Sequence, residues 1–246
     1  MTKEQRDYLA QGLHQLGLNP DERALERLDR YLEALLAQNQ VMNLTAITDP
    51  WEVIRLHFFD SAALLPTRAF PHKRVLDVGT GAGFPGLVLK ILEPTISLTL
   101  LDSTKKRLDW LQRLCEEALE MPQGVEAFCH GRGEVLAREE EQREGYDVVV
   151  SRAVASMPVL AELCLPFVKV GGLFLAMKSN KTDQEIDAAR DLIAKLGGQA
   201  PYVMDYKLPD TDIFHRLVTV HKQAPTPERY PRSWAKMKEG AAAPGR

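Results

Sequence analysis

The residues with the clearest chemical potential form a glycine-rich loop directly after a short apolar segment. Residues 75–86 read VLDVGTGAGFPG, and glycines stand at positions 79, 81, 83 and 86. Glycine adopts positive φ angles easily and lets a ligand approach the backbone closely. A loop of this kind between a strand and a helix is typical of nucleotide and nucleoside sites. It therefore predicts a cofactor bound at the end of the strand.

The loop fits two motifs that serve different cofactors. Residues 81–86 satisfy GxGxxG, the dinucleotide fingerprint, whereas residues 77–83 satisfy DxGxGxG, the form found in S-adenosylmethionine (SAM) enzymes. Three features favour the second motif. The turn begins at Gly79, Pro85 removes a backbone N–H that a pyrophosphate would use, and no second nucleotide-binding half follows. An NAD-dependent oxidoreductase is the alternative.

An aspartate lies where a second cofactor contact is expected. Asp102 ends the apolar segment 97–101, 23 residues after Gly79. A carboxylate at this place can accept hydrogen bonds from both hydroxyls of a ribose. NAD and SAM carry the same ribose, so Asp102 supports a nucleoside cofactor without distinguishing between them.

Two cations follow later strands of the predicted sheet. Arg152 follows the strand predicted over 146–150, and Lys178 follows the one predicted over 173–177, which places both at the carboxyl edge. Arg152 can stack on a base, grip a phosphate or donate to guanine O6, and a surface ion pair is the alternative. Lys178 suits an RNA phosphate or the carboxylate of the cofactor.

A histidine and an aspartate precede the sheet on a predicted helix. His57 and Asp60 are three residues apart and share one helix face. Spacing alone favours a structural pair that holds the helix against the sheet. The alternative is that they line a substrate cleft.

The elements around these residues predict an α/β fold. Residues 1–65 have a helical pattern, with a leucine stripe over 24–38 and a second helix over 50–65. Beyond residue 71, predicted strands alternate with predicted helices. The strands are predicted over 74–78, 97–101, 125–129, 146–150, 173–177, 202–208 and 214–222, and the helices over 85–92, 105–118, 159–168 and 183–196. This alternation indicates a doubly wound, mostly parallel sheet.

Three regions follow from this pattern. Residues 1–70 are expected to form a helical extension packed on the sheet, 71–222 the cofactor-binding domain, and 223–246 a flexible, basic, proline-rich tail. In the tail, Tyr230 and Trp234 alternate with cations, which would suit an RNA-gripping arm, and a disordered end is the alternative. The charged run 138–144 is expected to be a solvated helix face.

Composition limits the remaining possibilities. The chain has 246 residues, 45% of them hydrophobic, and a net charge of −3. No apolar run is long enough to span a membrane, and the first residues lack the apolar core of a secretory signal. Three scattered cysteines match neither a disulfide framework nor a zinc spacing. We expect a cytoplasmic protein without a metal.

Several segments together resemble one known family. The glycine loop, LLDSTKKR at 100–107 and VVSRAVA at 149–155 resemble the bacterial 16S rRNA (guanine-N7) methyltransferase G family, also called glucose-inhibited division protein B. NLTAI at 43–47 and RLHFFDS at 55–61 do so as well, and the similarity runs over residues 25–222. The loop alone is generic, whereas its combination with HFFDS and SRAVA is specific. One departure is Leu56, which separates Arg55 from His57.

The resemblance implies a Rossmann-like SAM-dependent methyltransferase that modifies N7 of one guanosine in the 530 loop of 16S rRNA. It implies 16S rRNA or the small ribosomal subunit as the partner, and we expect a monomer. The cofactor contacts that it implies are Gly79, Gly81, Phe84, Asp102, Ser103, Thr104, Gly133, Glu134 and Arg152. The catalytic candidates are Arg152, His57 and Lys178.

The chemistry of guanine N7 agrees with the absence of two catalytic motifs from the sequence. N7 has an in-plane lone pair and no proton, so its methylation needs positioning and exclusion of water more than a general base. Residues 151–154, Ser-Arg-Ala-Val, stand where an enzyme acting on an exocyclic amine would carry an Asn/Asp-Pro-Pro-aromatic tetrad. No Pro-Cys pair suits covalent attack on a pyrimidine. A non-catalytic RNA-binding factor is a further alternative.

Overall fold

A seven-stranded sheet in the order β3-β2-β1-β4-β5-β7-β6 organises the chain in the computed structural model, which describes residues 1–242. The strands are β1 (Arg74–Val78), β2 (Ser97–Asp102), β3 (Val125–His130), β4 (Tyr146–Arg152), β5 (Val168–Ser179), β6 (Tyr202–Lys207) and β7 (Phe214–His221). All neighbours pair in parallel except at β7, which is antiparallel to both β5 and β6. The predicted α/β class and mostly parallel sheet are therefore confirmed.

The strand order reverses between β1 and β4, where α/β sheets bind their ligands. β1 leads directly into the glycine loop, and β4 ends at Arg152. The register pairs Asp77 of β1 with Leu100 on one side and Val150 on the other. The carboxyl ends of β1, β2 and β4 therefore lie at the same edge of the sheet.

Helices cover both faces of the sheet. They are α1 (Lys3–Gln15), α2 (Glu22–Met42), α3 (Pro50–Val53), α4 (Asp60–Ala62), α5 (Gly86–Leu92), α6 (Lys105–Arg113), α7 (Gly133–Leu136), α8 (Met157–Cys164), α9 (Asp183–Lys195) and α10 (Trp234–Ala242). Buried strand residues alternate between the two layers: Val148 and Val150 belong to the core beneath α2, α5 and α6, and Val149 to the core beneath α8 and α9. No helix among residues 1–242 is long and apolar enough to cross a membrane.

The N-terminal helices share a hydrophobic core with one face of the sheet. Leu28 of α2 and Phe58 are fully buried in the same cluster as Val75 of β1. Burying an aromatic or leucine side chain contributes roughly 1.5–3 kcal/mol relative to exposure. The segment before the sheet is thus fixed against the strands that carry the glycine loop.

The helix predicted over 50–65 contains a π-helical segment. α3 runs into a π segment at Ile54–Phe59, and α4 follows directly. A π turn inserts an extra residue per turn and rotates the side chains that follow it, and such turns occur frequently at functional sites. This segment carries His57 and leads into Asp60.

The expectation of a flexible tail over 223–246 is wrong for the residues that the structure describes. Glu162 of α8 is fully buried, and Arg232 donates to both of its carboxylate oxygens, at 2.6 and 2.8 Å. Met237 is buried in the layer beneath α8, and α10 packs on α8. A buried carboxylate needs such a partner, which fixes the segment despite its prolines. Residues 243–246 lie outside the described part.

A further local expectation is corrected. The charged run 138–144 forms turns and not a helix face. Residues 138–141 are exposed as expected, but Arg138 and Arg143 donate to backbone carbonyls of residues 226–231. Gly171 and Gly172 lie inside β5, where the register with β4 shifts. Glycine inside a strand is typical of such an irregularity.

Candidate active site

The glycine loop is held in a conformation that requires glycine at particular positions. Gly79 has φ +74°, and a Cβ there would lie 2.6 Å from Cγ2 of Val154. Gly83 has φ +98°, and its Cβ would lie 2.5 Å from the Tyr31 hydroxyl. The first glycine therefore lets the segment after β4 approach the loop, and the second lets α2 pack beneath it.

The amide groups of the loop are largely used inside the protein. The Gly83 N–H donates to the Thr80 carbonyl at 2.8 Å, and the Gly86 N–H donates to Oδ2 of Asp77 at 2.9 Å. The Gly81 N–H donates to Oδ2 of Asp102 at 3.0 Å. A pyrophosphate needs a set of free amides at this place. The geometry therefore disfavours the dinucleotide interpretation of the loop.

Asp77 is a buried carboxyl group beneath the loop. Its Oδ2 accepts hydrogen bonds from Thr80 Oγ1 at 2.8 Å and from the Gly86 amide, while Oδ1 has no partner among the described residues. Burial, only partly offset by these two hydrogen bonds, raises the pKa of Asp77 to about 6. Keeping Asp77 ionised inside the fold therefore costs free energy.

A first cavity, the cofactor cleft, opens beside the loop with a volume of about 290 Å³. Asp102 lies in its wall, and its oxygens accept hydrogen bonds from the amides of Gly81 and Thr104 while retaining lone pairs for a ligand. Apolar side chains supply much of the remaining wall, namely Val78, Leu101, Val154 and Leu163. Charged residues also line the cleft, namely Arg107, Arg132 and Glu134. A carboxylate beside this mixed wall of apolar and polar groups fits a ribose carrying a base.

The predicted cofactor residues divide into two groups. The cleft is lined by Gly79, Asp102, Ser103, Gly133 and Glu134. The other four predicted contacts do not line this cleft. Gly81 and Thr104 donate their amides to Asp102, and the buried Phe84 ring lies 4.5 Å from that of His57. Arg152 lines a second cavity.

The second cavity, the substrate cavity, has a volume of about 510 Å³. It is lined by all three catalytic candidates, Arg152, His57 and Lys178, and also by Asp60, Glu185 and His215. Ala153 lines both cavities, and its φ of +56° is unusual for a residue with a Cβ. The two cavities therefore adjoin at the residue after β4.

Asp60 is the centre of a hydrogen-bond cluster in the substrate cavity. Its Oδ1 accepts from Tyr206 and from Nδ1 of His215, both at 2.7 Å, and its Oδ2 accepts from Arg152 at 3.0 Å. Burial alone would raise the pKa of Asp60, but the hydrogen bond from His215 and the charge of Arg152 outweigh it and lower the pKa. The bond to Asp60 in turn raises the pKa of His215.

His57 is a neutral imidazole in this environment. Burial and the adjacent charge of Arg152 lower the pKa of His57 to about 3. An Nη2 of Arg152 lies 3.0 Å from Nδ1, and Thr45 Oγ1 lies 2.9 Å from Nε2. The Leu56 carbonyl also lies 3.1 Å from Nδ1, but it accepts from Nη1 of Arg152. Because the guanidinium can only donate, we assign the proton to Nε2. Both ring nitrogens are then occupied, so His57 has no lone pair for a general base.

Lys178 is held beside the same cavity by two oxygen atoms. Its ammonium lies 2.9 Å from the Ala155 carbonyl and 2.9 Å from Oε2 of Glu185. Oε2 also accepts from the Met157 amide, whereas Oε1 makes no hydrogen bond among residues 1–242. The cavity thus presents a cation and a carboxylate with a free oxygen side by side.

Sequence reasoning missed Tyr206, His215 and Glu185 as parts of the site. β7 runs antiparallel to β5, with His215 opposite Ser179, so the start of β7 lies at the carboxyl edge. Hydrophobic alternation gives a strand but not its direction. Glu185 lies in the first turn of α9, where an acidic residue is ordinary at a helix start.

Solved structures with the same fold define the class. A methyltransferase from Pyrococcus furiosus superposes with a TM-score of 0.54 at 15% identity and covers 80% of this chain and 98% of its own. An O-methyltransferase from Bacillus cereus, in complex with SAH, gives a TM-score of 0.53 at 19% identity and covers 78% and 90%. The fold is that of the SAM-dependent methyltransferases.

Sequence comparison narrows the class to one family. Residues 24–213 match the family model described as rRNA small subunit methyltransferase G, GidB. The ribosomal RNA small subunit methyltransferase G of Alkaliphilus metalliredigens (strain QYMF) is 42% identical over 232 residues, which are 93% of this chain and 95% of that relative. The chain belongs to the rRNA small subunit methyltransferase G family.

Proposed function

We propose that the protein transfers a methyl group from SAM to N7 of one guanosine in the 530 loop of 16S rRNA. The observation that carries the proposal is the meeting of the two cavities at Ala153. One cavity suits a nucleoside cofactor, and the other presents cations and hydrogen-bonding groups to a base. A methyl group in transfer would pass between them.

The cofactor cleft supports SAM as the ligand. Asp102 would accept hydrogen bonds from the ribose hydroxyls, and the loop backbone at Gly79 would pass close beneath the cofactor. Leu163 and Val154 would lie against the adenine, because they form the apolar wall of the cleft. The cofactor supplies an electrophilic methyl group on a sulfonium, and the protein contributes position and exclusion of water.

The protonation states in the substrate cavity support a ring nitrogen as acceptor. His57 is neutral with both nitrogens engaged, and all three hydrogen bonds to Asp60 come from other protein groups. These two residues are therefore poorly placed to remove a proton from an exocyclic amine. Guanine N7 needs no such removal, since its lone pair is available at neutral pH.

Guanine recognition would use the groups that keep free hydrogen-bonding capacity. Nε of Arg152 makes no hydrogen bond within residues 1–242 and can donate to O6, the acceptor next to N7. The free Oε1 of Glu185 can accept from the N1–H and N2–H₂ donors on the Watson–Crick edge of a base turned out of its stack. Adenine lacks this combination of donors.

The experiment compares RNA classes as methyl acceptors with labelled SAM. Small subunits lacking their own N7-methylguanosine, large subunits and bulk tRNA are offered in parallel to the wild type, Arg152→Ala and Arg190→Ala. Arg190 is half exposed on α9 and serves as the matched control. We expect label on small subunits only, retained by Arg190→Ala and lost by Arg152→Ala.

Other outcomes would replace the proposal with a defined alternative. Label on tRNA or large subunits would contradict the substrate. Absence of label from every RNA, with SAH still raising the melting temperature, would favour a non-catalytic RNA-binding factor. Stabilisation by NAD and not by SAH would favour the oxidoreductase.

A further inference from the structure

An aromatic side chain from the C-terminal helix reaches the cofactor cleft. Trp234, the first residue of α10, lines the cleft together with Gly133 and Leu163. Its side chain is only half-buried, so one part of the indole is open to the cavity or to solvent. The family match ends at residue 213, which leaves Trp234 outside the matched region.

The segment that carries Trp234 is anchored on both sides. Before it, Arg232 forms a two-pronged ion pair with the fully buried Glu162, and the Arg232 amide donates to the same carboxylate at 2.7 Å. After it, Met237 is 1% exposed in the core beneath α8. Removing one partner of a buried ion pair is costly, so these contacts fix where Trp234 lies.

Trp234 contributes an indole ring, and Leu163 an aliphatic side chain, to the lining of the same cleft. Leu163 belongs to the apolar part of the cleft wall, and a Cβ at Gly133 would lie 2.8 Å from its Cδ1, so the backbone of α7 lies directly against α8. Two exposed cations lie near the indole: the Arg132 guanidinium is 6.0 Å and the Lys238 ammonium 5.5 Å from the ring centroid, so a stacked base would have to share or displace these contacts. The loop that follows β3 supplies Gly131, Arg132 and Gly133 to the same cleft, which also contains Asp102, the expected ribose partner.

We propose that Trp234 forms the outer wall of the site for the purine base of the cofactor, so that the C-terminal helix completes the cofactor cleft. The proposal rests on the proposed function, because it assumes a nucleoside cofactor in this cleft. Indole and adenine rings gain free energy by stacking, and such contacts are sequence-tolerant in nucleic-acid sites because each base has a π face.

The test measures SAH affinity by titration calorimetry for three variants of the full chain. From the usual value of base–aromatic stacking, Trp234→Ala should weaken binding by about 5-fold or more. Trp234→Phe keeps a stacking ring and should stay within about 3-fold of the wild type. Tyr202→Ala, an exposed aromatic residue on β6, is the matched control and should not change the affinity.

A second measurement keeps Trp234 in place. In the Trp51→Phe/Trp110→Phe protein, Trp234 is the sole tryptophan, and its fluorescence should change and become less accessible to acrylamide when SAH saturates the protein. Unchanged affinity in Trp234→Ala, or unchanged accessibility in the sole-tryptophan protein, would overturn the inference. If wild-type protein binds no SAH, the cofactor assignment itself fails, which is a different result.

Discussion

Arg152 and Asp60 form an ion pair that joins the end of β4 to the start of α4. The Arg152 Nη1 lies 3.0 Å from Asp60 Oδ2, and the two side chains are 14% and 4% exposed. The same Nη1 donates to the Leu56 carbonyl at 3.0 Å, inside the π segment. The pair therefore fixes the helix before the sheet relative to the strand that ends between the two cavities.

Removing the charge of Asp60 should destabilise the fold. Asp60→Asn leaves Arg152 mostly buried without its counter-ion, which typically costs about 3–5 kcal/mol. Urea unfolding should show a lower midpoint. Arg152→Met in the same chain removes the stranded cation and should recover part of the loss. An Asp60→Asn midpoint equal to the wild type would show that the pair contributes little.

His57 should make the fold sensitive to acid. The pKa of His57 is about 3 in the folded protein and near 6.5 when unfolded, so only the unfolded chain takes up this proton in between. The free energy of unfolding should fall as pH drops from about 6.5 towards 3. Between about pH 7 and pH 5, we expect the free energy of unfolding to decrease less in the His57→Gln variant than in the wild type. Equal decreases would mean that His57 titrates normally.

Asp77 should have the opposite pH dependence. Its folded pKa of about 6 exceeds the unfolded value of 3.8, so its contribution to stability is lost as pH rises through this window. In the Asp77→Asn variant, the side-chain amide oxygen could keep both hydrogen bonds that Oδ2 accepts. Relative to the wild type, this variant should gain stability with rising pH, by roughly 3 kcal/mol above about pH 6. Parallel stability curves from about pH 4 to pH 8 would contradict the raised pKa.

The two loop glycines should respond differently to a methyl group. Gly79→Ala places a Cβ against Val154 and should remove most SAH binding, since the strain moves the loop at the cleft wall. Gly81 also has a positive φ, but its Cβ would meet nothing closer than 3.9 Å, so Gly81→Ala should have a smaller effect. Calorimetry shows which of the two variants loses more SAH affinity. Equal losses of affinity would show that the strain of a positive φ angle alone matters.

The central architecture was predictable because local pattern and ligand chemistry agree there. The loop from Gly79, the aspartate at 102 and the cation at 152 each directly follow or end a buried strand, and strands of a parallel sheet present these ends together. The sequence alone therefore located Asp102 beside the loop and Arg152 at the same edge.

Other parts depended on contacts that periodicity does not encode. The antiparallel direction of β7 brings His215 to Asp60, and His57 lies within a π segment that the helical pattern does not predict. The C-terminal segment looked disordered because its prolines and charges hide its anchor. That anchor is Glu162, which in the sequence is one acidic residue within an apolar helix.

The most direct test maps the methylated position in 16S rRNA. Small subunits lacking their N7-methylguanosine are incubated with the protein and SAM, and the rRNA is then cleaved at N7-methylguanosine and sized. We predict one new cleavage, located in the 530 loop, that appears with the wild type and not with Arg152→Ala. Cleavage elsewhere, or methylation that produces no cleavage site, would contradict N7 of that guanosine as the acceptor.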